Sequence, residues 1–225
     1  MELKKTILEG FPLVHDIALE MPTVAELLSV PVYDRCSAED FYRHGGEIAR
    51  YFLDKAPMKN DMKYVNIWTS LQLLKPGVGT IKYKHNWHVD GSKVPFNAYD
   101  RLFLVVSDCT ATTEFNKDRI ELLVDSEITH QEYDKYINDN ADEIGIVGKR
   151  IPANQFVEFT AGHAHRATNP EKEEFRFMFR ICESDELPSQ HISKSRLLGS
   201  YIYSEVGKPT KNIINSEEDR FFIHL

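Results

Sequence analysis

Phe175-Arg176-Phe177-Met178-Phe179-Arg180-Ile181-Cys182 carries two chemistries on one short run. Side chains alternate across a strand, so Phe175, Phe177, Phe179 and Ile181 share one face. Arg176, Met178, Arg180 and Cys182 share the other. The aromatic face calls for apolar packing. The arginine face has two readings. It belongs to an edge strand, with its guanidinium groups in solvent or paired to Glu171, Glu173 or Glu174. Alternatively it lines an interior, where two cations are costly without anionic partners. A dicarboxylate ligand supplies such a partner, because the guanidinium fork grips a carboxylate through two parallel bonds.

Working outward, the period of two recurs. Strands are expected over Tyr64–Leu74, Thr80–Trp87, Arg101–Val106, Arg119–Val124, Gln155–Thr160 and Phe175–Cys182, with a further one near Tyr201–Ser204. Turn chemistry separates several of them: Lys75-Pro76-Gly77, Asp90-Gly91, Ala161-Gly162 and Asn169-Pro170. Residues 1–60 read as helical and loop-like. A short helix is expected near Val24 to Leu28. A second starts at Ser37-Ala38-Glu39-Asp40, with Ser37 as N-cap and acids in the first turn, and Gly45-Gly46 weakens its middle. Between the strands, residues 129–142 read as an inserted acidic surface helix.

Many strands with short turns after helical material predict a mainly β protein with helices. The expected architecture is a double-stranded β-helix (a cupin-like jelly roll) buttressed by N-terminal helices, whose two packed sheets enclose a ligand-sized interior. The 225 residues are expected to form a single domain: a helical part over 1–60 and a jelly-roll core over 64–205. No strand–helix alternation points to a doubly wound fold, and Gly77-Val78-Gly79 is only a turn.

The chain is 42% hydrophobic, ordinary for a globular protein, and its formal charge is −8. That balance argues against a partner held through phosphates, which leaves a basic footprint. Three scattered cysteines, Cys36, Cys109 and Cys182, form no C-x-x-C pair, so reduced core cysteines are expected. The N-terminus lacks the apolar segment of a signal peptide, and no run is long enough to span a bilayer. A soluble, cytoplasmic protein without a membrane partner is the expectation.

His88-Val89-Asp90 follows the expected strand that ends at Trp87. Residues i and i+2 of a strand point the same way. Two imidazoles and one carboxylate on one face of a metal make the facial site of non-haem iron, with the remaining positions open. His88 and Asp90 are two thirds of it. The third ligand is sought on a distant strand, in Phe159-Thr160-Ala161-Gly162-His163-Ala164-His165-Arg166. Both His163 and His165 qualify there, with His165 favoured and His163 as neighbour or alternative ligand. Trp87 falls on the face opposite His88, a packing position.

The ordered set His88-x-Asp90, His165, Arg176 resembles the H-x-D…H…R signature of Fe(II)- and 2-oxoglutarate-dependent dioxygenases, over roughly Leu71 to Cys182. The resemblance implies that His88, Asp90 and His165 bind Fe(II) and that Arg176 holds the distal carboxylate of 2-oxoglutarate. Arg180 would contact that carboxylate or an anionic group on the substrate. It also implies O2 as co-substrate, release of succinate and CO2, and hydroxylation of a small-molecule or peptide substrate, with nucleic acid placed last by the acidic charge. The sequence departs from the pattern at Met178, where a small hydroxyl residue is often seen.

Two rivals remain. A cupin-type metal-dependent isomerase or epimerase would use His163-x-His165 with a glutamate four residues later, but position 169 is Asn and Glu171 is six away. A non-catalytic jelly-roll binding protein has no need of the intact four-residue set.

Overall fold

Strand β11 (Glu174–Ser184) runs through the middle of the largest sheet. Strand β4 (Tyr64–Leu74) lies antiparallel along its whole length on one side, and β5 (Arg101–Val106) lies antiparallel on the other. The edge-strand reading of its arginines therefore fails. Glu173 pairs instead with Lys75 at 3.4 Å, and Glu174 accepts hydrogen bonds from the Thr110 and Ala111 amides. The computed structural model describes residues 2–28, 33–76, 86–90, 100–185, 195–197, 204–205 and 222–223. Over these the chain is mainly β, with several antiparallel sheets and few helices.

The remaining strands, in chain order, are β1 (Leu3–Leu8), β2 (Leu13–Ala18), β3 (Tyr33–Ser37), β6 (Thr113–Asn116), β7 (Ile120–Asp125), β8 (Gly148–Arg150), β9 (Gln155–Thr160), β10 (His165–Ala167), β12 (Ser195–Leu197), β13 (Ser204–Glu205) and β14 (Phe222–Ile223). The large sheet has the order β14-β12-β3-β4-β11-β5-β9-β2, with β13 parallel to the end of β4. A small sheet has the order β10-β6-β8, and β1 pairs with β7 in a two-stranded ribbon. The helices are α1 (Val24–Leu28), α2 (Ala38–His44), α3 (Gly46–Lys55) and α4 (His130–Asp139). None of them is long and apolar enough to cross a membrane.

Each face of the large sheet buries a different cluster. On one, Phe177, Phe179 and Ile181 meet Ile67, Leu71, Phe103, Val105 and Phe156, and α2 and α3 cover them with Phe41, Ala49, Phe52 and Leu53. The Phe52 ring stacks on Phe179 with centroids 5.0 Å apart. On the other face, Leu102, Leu104, Val106, Val157, Phe159 and Cys182 meet Phe115 from β6 and Ile151 just after β8. This second cluster joins the large sheet to the small one, and Arg176 and Arg180 belong to this side by strand alternation. Burial pushes the Cys182 thiol up to about 12, as befits an inert core cysteine.

β4, β5 and β9 begin and end where the sequence places them, and β7 and β11 lie within two residues of expectation. The helix expected from Ser37 is two helices, because Gly46 sits at φ 73°, a left-handed conformation that glycine adopts without strain and that interrupts the turn-to-turn bonding. The helical reading of residues 1–60 needs correction. β1, β2 and β3 lie within that stretch, recruited by partners far along the chain: β7, β9 and β4 respectively. The strand expected over Thr80–Trp87 falls mostly outside the described residues, as do Gly77, Gly91 and residues 201–203. Asn86 and Trp87 are described and lie in no strand; ladder pairing begins at His88.

Candidate metal centre

His88 enters the small sheet through an isolated antiparallel bridge to His165. Each residue's amide donates to the other's carbonyl, at 3.0 and 2.9 Å. β10 in turn pairs with β6, setting His165 opposite Phe115. The bridge brings the two imidazoles together with centroids 4.3 Å apart. Asp90, two residues beyond His88, reaches the same place. One ligand atom from each of His88, Asp90 and His165 lies within 4.8 Å of the other two, spacing that suits a shared metal ion.

The tautomers suit ligation. His165 Nδ1 is 3.0 Å from the His163 carbonyl, and His88 Nδ1 is 3.3 Å from the Asn86 carbonyl. A carbonyl only accepts, so Nδ1 is the donor in each ring, and the tautomer this favours would leave Nε2 as the nitrogen for a metal. Asn86 itself has φ 55°, a left-handed turn that asparagine tolerates, directly ahead of the ligand segment. Phe115 stacks on the His165 ring at 5.1 Å and Phe159 meets it edge-on at 5.4 Å, so its orientation is fixed from both sides.

Asp90 is held by two neighbouring side chains. Its Oδ2 accepts from Arg180 and lies 3.3 Å from His165 Nε2. Burial alone would raise this carboxyl, but Arg180 and then His165 outweigh it and hold the group well below the usual carboxylate range. The His88 imidazole is lowered to about 4, first by burial and then by neighbouring His165. The cluster is therefore a carboxylate beside a neutral His88 near pH 7, ready to accept a cation.

His163 lies outside this group. The Thr160 amide donates to its Nδ1 at 3.0 Å, closing the turn after β9, and burial lowers its ring to about 4. Its carbonyl, rather than its ring, serves the site by fixing His165.

The two arginines differ. Arg180 is engaged by Asp90 and lies over the Trp68 ring at 4.4 Å, so it backs the candidate carboxylate ligand. Arg176 is buried, at 8% exposure, and donates through Nη2 to Thr113 Oγ1 at 3.0 Å. Its Nε has no partner, nor has the buried hydroxyl of neighbouring Thr112. Burial lowers its pKa, and among the described residues no carboxylate pairs with it. Arg176 and Arg180, four positions apart on one face, are separated by roughly 13 Å along the strand.

Three residues of α4 also serve this site without having been singled out by sequence: His130, Asp134 and Asn138 bond the backbone of Trp87 and Val89. Their spacing of four along a helix was the available signal, masked by the acidic character of the segment. Trp87, as expected, packs in the apolar cluster beneath α4.

Compared with models of protein families, with curated proteins and with solved structures, the chain matches none of them.

Proposed function

We propose that the chain is a non-haem Fe(II)- and 2-oxoglutarate-dependent dioxygenase built on a jelly roll. The strand order supports the fold. In chain order β4 belongs to the large sheet, the His88 bridge to the small one, β5 to the large, β6 and β8 to the small, β9 to the large, β10 to the small and β11 to the large. Eight segments winding between two facing sheets in this way are what a jelly roll requires. β7 and α4 then form one excursion between β6 and β8.

The observation that carries the functional reading is the pairing of two features that face one interior. One is a cluster of two histidines and one aspartate in which a backbone carbonyl lies beside Nδ1 of each ring. The other is a buried guanidinium whose Nε lacks a partner. A buried cation without an anion is costly, and a carboxylate entering that interior would relieve it.

Iron(II), when bound, supplies the O2 chemistry that couples oxidative decarboxylation of 2-oxoglutarate, giving succinate and CO2, to hydroxylation of a substrate. His88, Asp90 and His165 would hold the ion on one face and leave its other positions for exchangeable ligands. Arg176, with Thr113 beside it, would bind the far carboxylate of 2-oxoglutarate and so orient the molecule toward the metal. Arg180 would keep Asp90 ionised and aimed. The apolar wall of Leu104, Val106, Phe115 and Phe159 would exclude water from this space. The substrate reading stays with a small molecule or a peptide, because a net charge of −8 does not suit a polyanion. The cupin alternative needs His163 as a ligand beside His165, whereas His163 Nδ1 is engaged by Thr160.

Incubation of the purified chain with Fe(II), 2-oxoglutarate and O2, without added substrate, tests the activity. Slow succinate release that His88→Ala abolishes is expected. Absence of succinate from a protein shown to hold iron would contradict the dioxygenase reading.

A further inference from the structure

The segment Trp87-Val89 behaves as a strand with two neighbours, only one of which is a strand. On one side His88 pairs with His165. On the other, where the next ladder would run, stands α4. The Trp87 amide donates to Asn138 Oδ1 at 2.8 Å, and Asn138 Nδ2 donates back to the Trp87 carbonyl. The Val89 amide donates to Asp134 Oδ1 at 3.1 Å, and His130 Nε2 lies 2.8 Å from the Val89 carbonyl. Every backbone donor and acceptor from Trp87 to Val89 is thus satisfied, alternately by β10 and by helix side chains.

The fit has a metric basis. Residues four apart on a helix are separated by about 6.0 Å along its axis. Alternate residues of a strand are separated by about 6.7 Å. A polar stripe at positions 130, 134 and 138 therefore runs nearly in step with the outward backbone groups of residues 87 and 89, in the antiparallel sense. Asn138 is buried at 1% exposure, and the flanking Tyr133 and Ile137 pack into the same cluster as the Trp87 and Val89 side chains. By strand alternation, the side chains of His88 and Asp90 project from the face opposite those of Trp87 and Val89.

We propose that α4 is the brace of the metal centre, with Asn138 and Asp134 as positioning residues that set the affinity and geometry at His88 and Asp90. This rests on the metal-site reading above. The inserted helix is then a structural replacement for a missing strand, and its side-chain contacts act at one remove from the metal.

Co(II), whose d–d absorption reports coordination geometry, is the probe. Asn138→Leu keeps the side-chain size and removes both bonds to Trp87. Co(II) affinity should fall roughly 10- to 100-fold with an altered d–d band, as for other residues that orient metal ligands. Asp134→Ala should act in the same direction, and Asp134→Asn, which retains the acceptor for Val89, should restore most of the affinity. Lys135→Ala, on the exposed face of α4, should leave binding unchanged. Because Asn138→Leu is a core substitution, the melting temperature of each metal-free variant is measured alongside, and the Asp134 pair decides the matter if Asn138→Leu does not fold. Wild-type binding and an unaltered band in Asn138→Leu or Asp134→Ala would overturn the brace while sparing the metal site. A wild-type chain that takes up no Co(II) would overturn both.

Discussion

His88 and His165 exchange backbone hydrogen bonds at 3.0 and 2.9 Å, so two imidazoles 77 positions apart in the chain leave one antiparallel bridge side by side. The bridge explains why a two-residue spacing at 88 and 90 suffices. The sheet, rather than the local sequence, supplies the third group.

The assignment of the distal ligand can be read by substitution. His165→Ala should abolish metal uptake, as should His88→Ala. His163→Ala should retain it with weakened affinity, since only the turn after β9 loses its fastening. Isothermal titration with Co(II) measures all three. Stronger loss in His163→Ala than in His165→Ala would reverse the assignment.

Arg176 gives a sharper separation of metal from co-substrate. Arg176→Met should leave metal binding intact and weaken 2-oxoglutarate by roughly 10- to 100-fold, the worth of a charge-assisted bond. The metal-free variant should unfold at a urea concentration no lower than wild type, because it removes a buried cation that has no charged partner among the described residues. A variant that loses the metal together with 2-oxoglutarate would mean that Arg176 acts on the cluster itself.

Acid sensitivity follows from the histidines. His88 and His163 are each lowered from 6.5 to about 4, burial being the largest cause for both. Between those limits the unfolded chain binds more protons than the folded one. Stability contributed by the neutral rings is therefore present above about pH 6.5 and is lost as pH falls toward 4. Urea unfolding of metal-free protein at intervals across that window should show the decline, and His163→Asn should make it shallower. A flat profile from pH 6.5 to 4 would contradict the burial of these rings.

The packing of the N-terminal helices on the large sheet rests on few aromatic side chains. Phe179 is fully buried and its ring lies 5.0 Å from Phe52 and 5.5 Å from Phe41. Phe179→Ala should cost about 3–5 kcal/mol in equilibrium unfolding. A cost below about 1 kcal/mol, the range of surface changes, would mean that α2 and α3 are not anchored there.

Sequence made the centre of the large sheet legible because its strands are long and either alternate or are wholly apolar. The run from Phe175 to Cys182 shows both faces at once, and Arg101–Val106 is buried at all positions but the first. β6, β8 and β10 were not legible. With three or four residues each, they are too short to display a period, and they pair with one another across wide gaps in the chain. β1 and β2 were missed for a different reason. Leu3, Leu13 and other residues in them stay exposed, so no hydrophobic pattern announces a strand whose partner lies more than a hundred residues away. Of the candidate cluster, His88, Asp90 and His165 were picked out in the sequence by their order and spacing. His165 was favoured over His163 there, but what sets it beside His88, the backbone bridge between them, left no mark in the sequence. Nor was the role of α4 legible, because backbone acceptors and donors at 87 and 89 leave no mark in a sequence.

The most direct measurement is an anaerobic titration of the protein with Fe(II) and 2-oxoglutarate, followed by visible absorption. A weak charge-transfer band is expected only when both are present, lost in Asp90→Ala and shifted to higher 2-oxoglutarate concentration in Arg176→Met. Iron uptake with no band and no binding of 2-oxoglutarate at saturating metal would contradict the proposed centre.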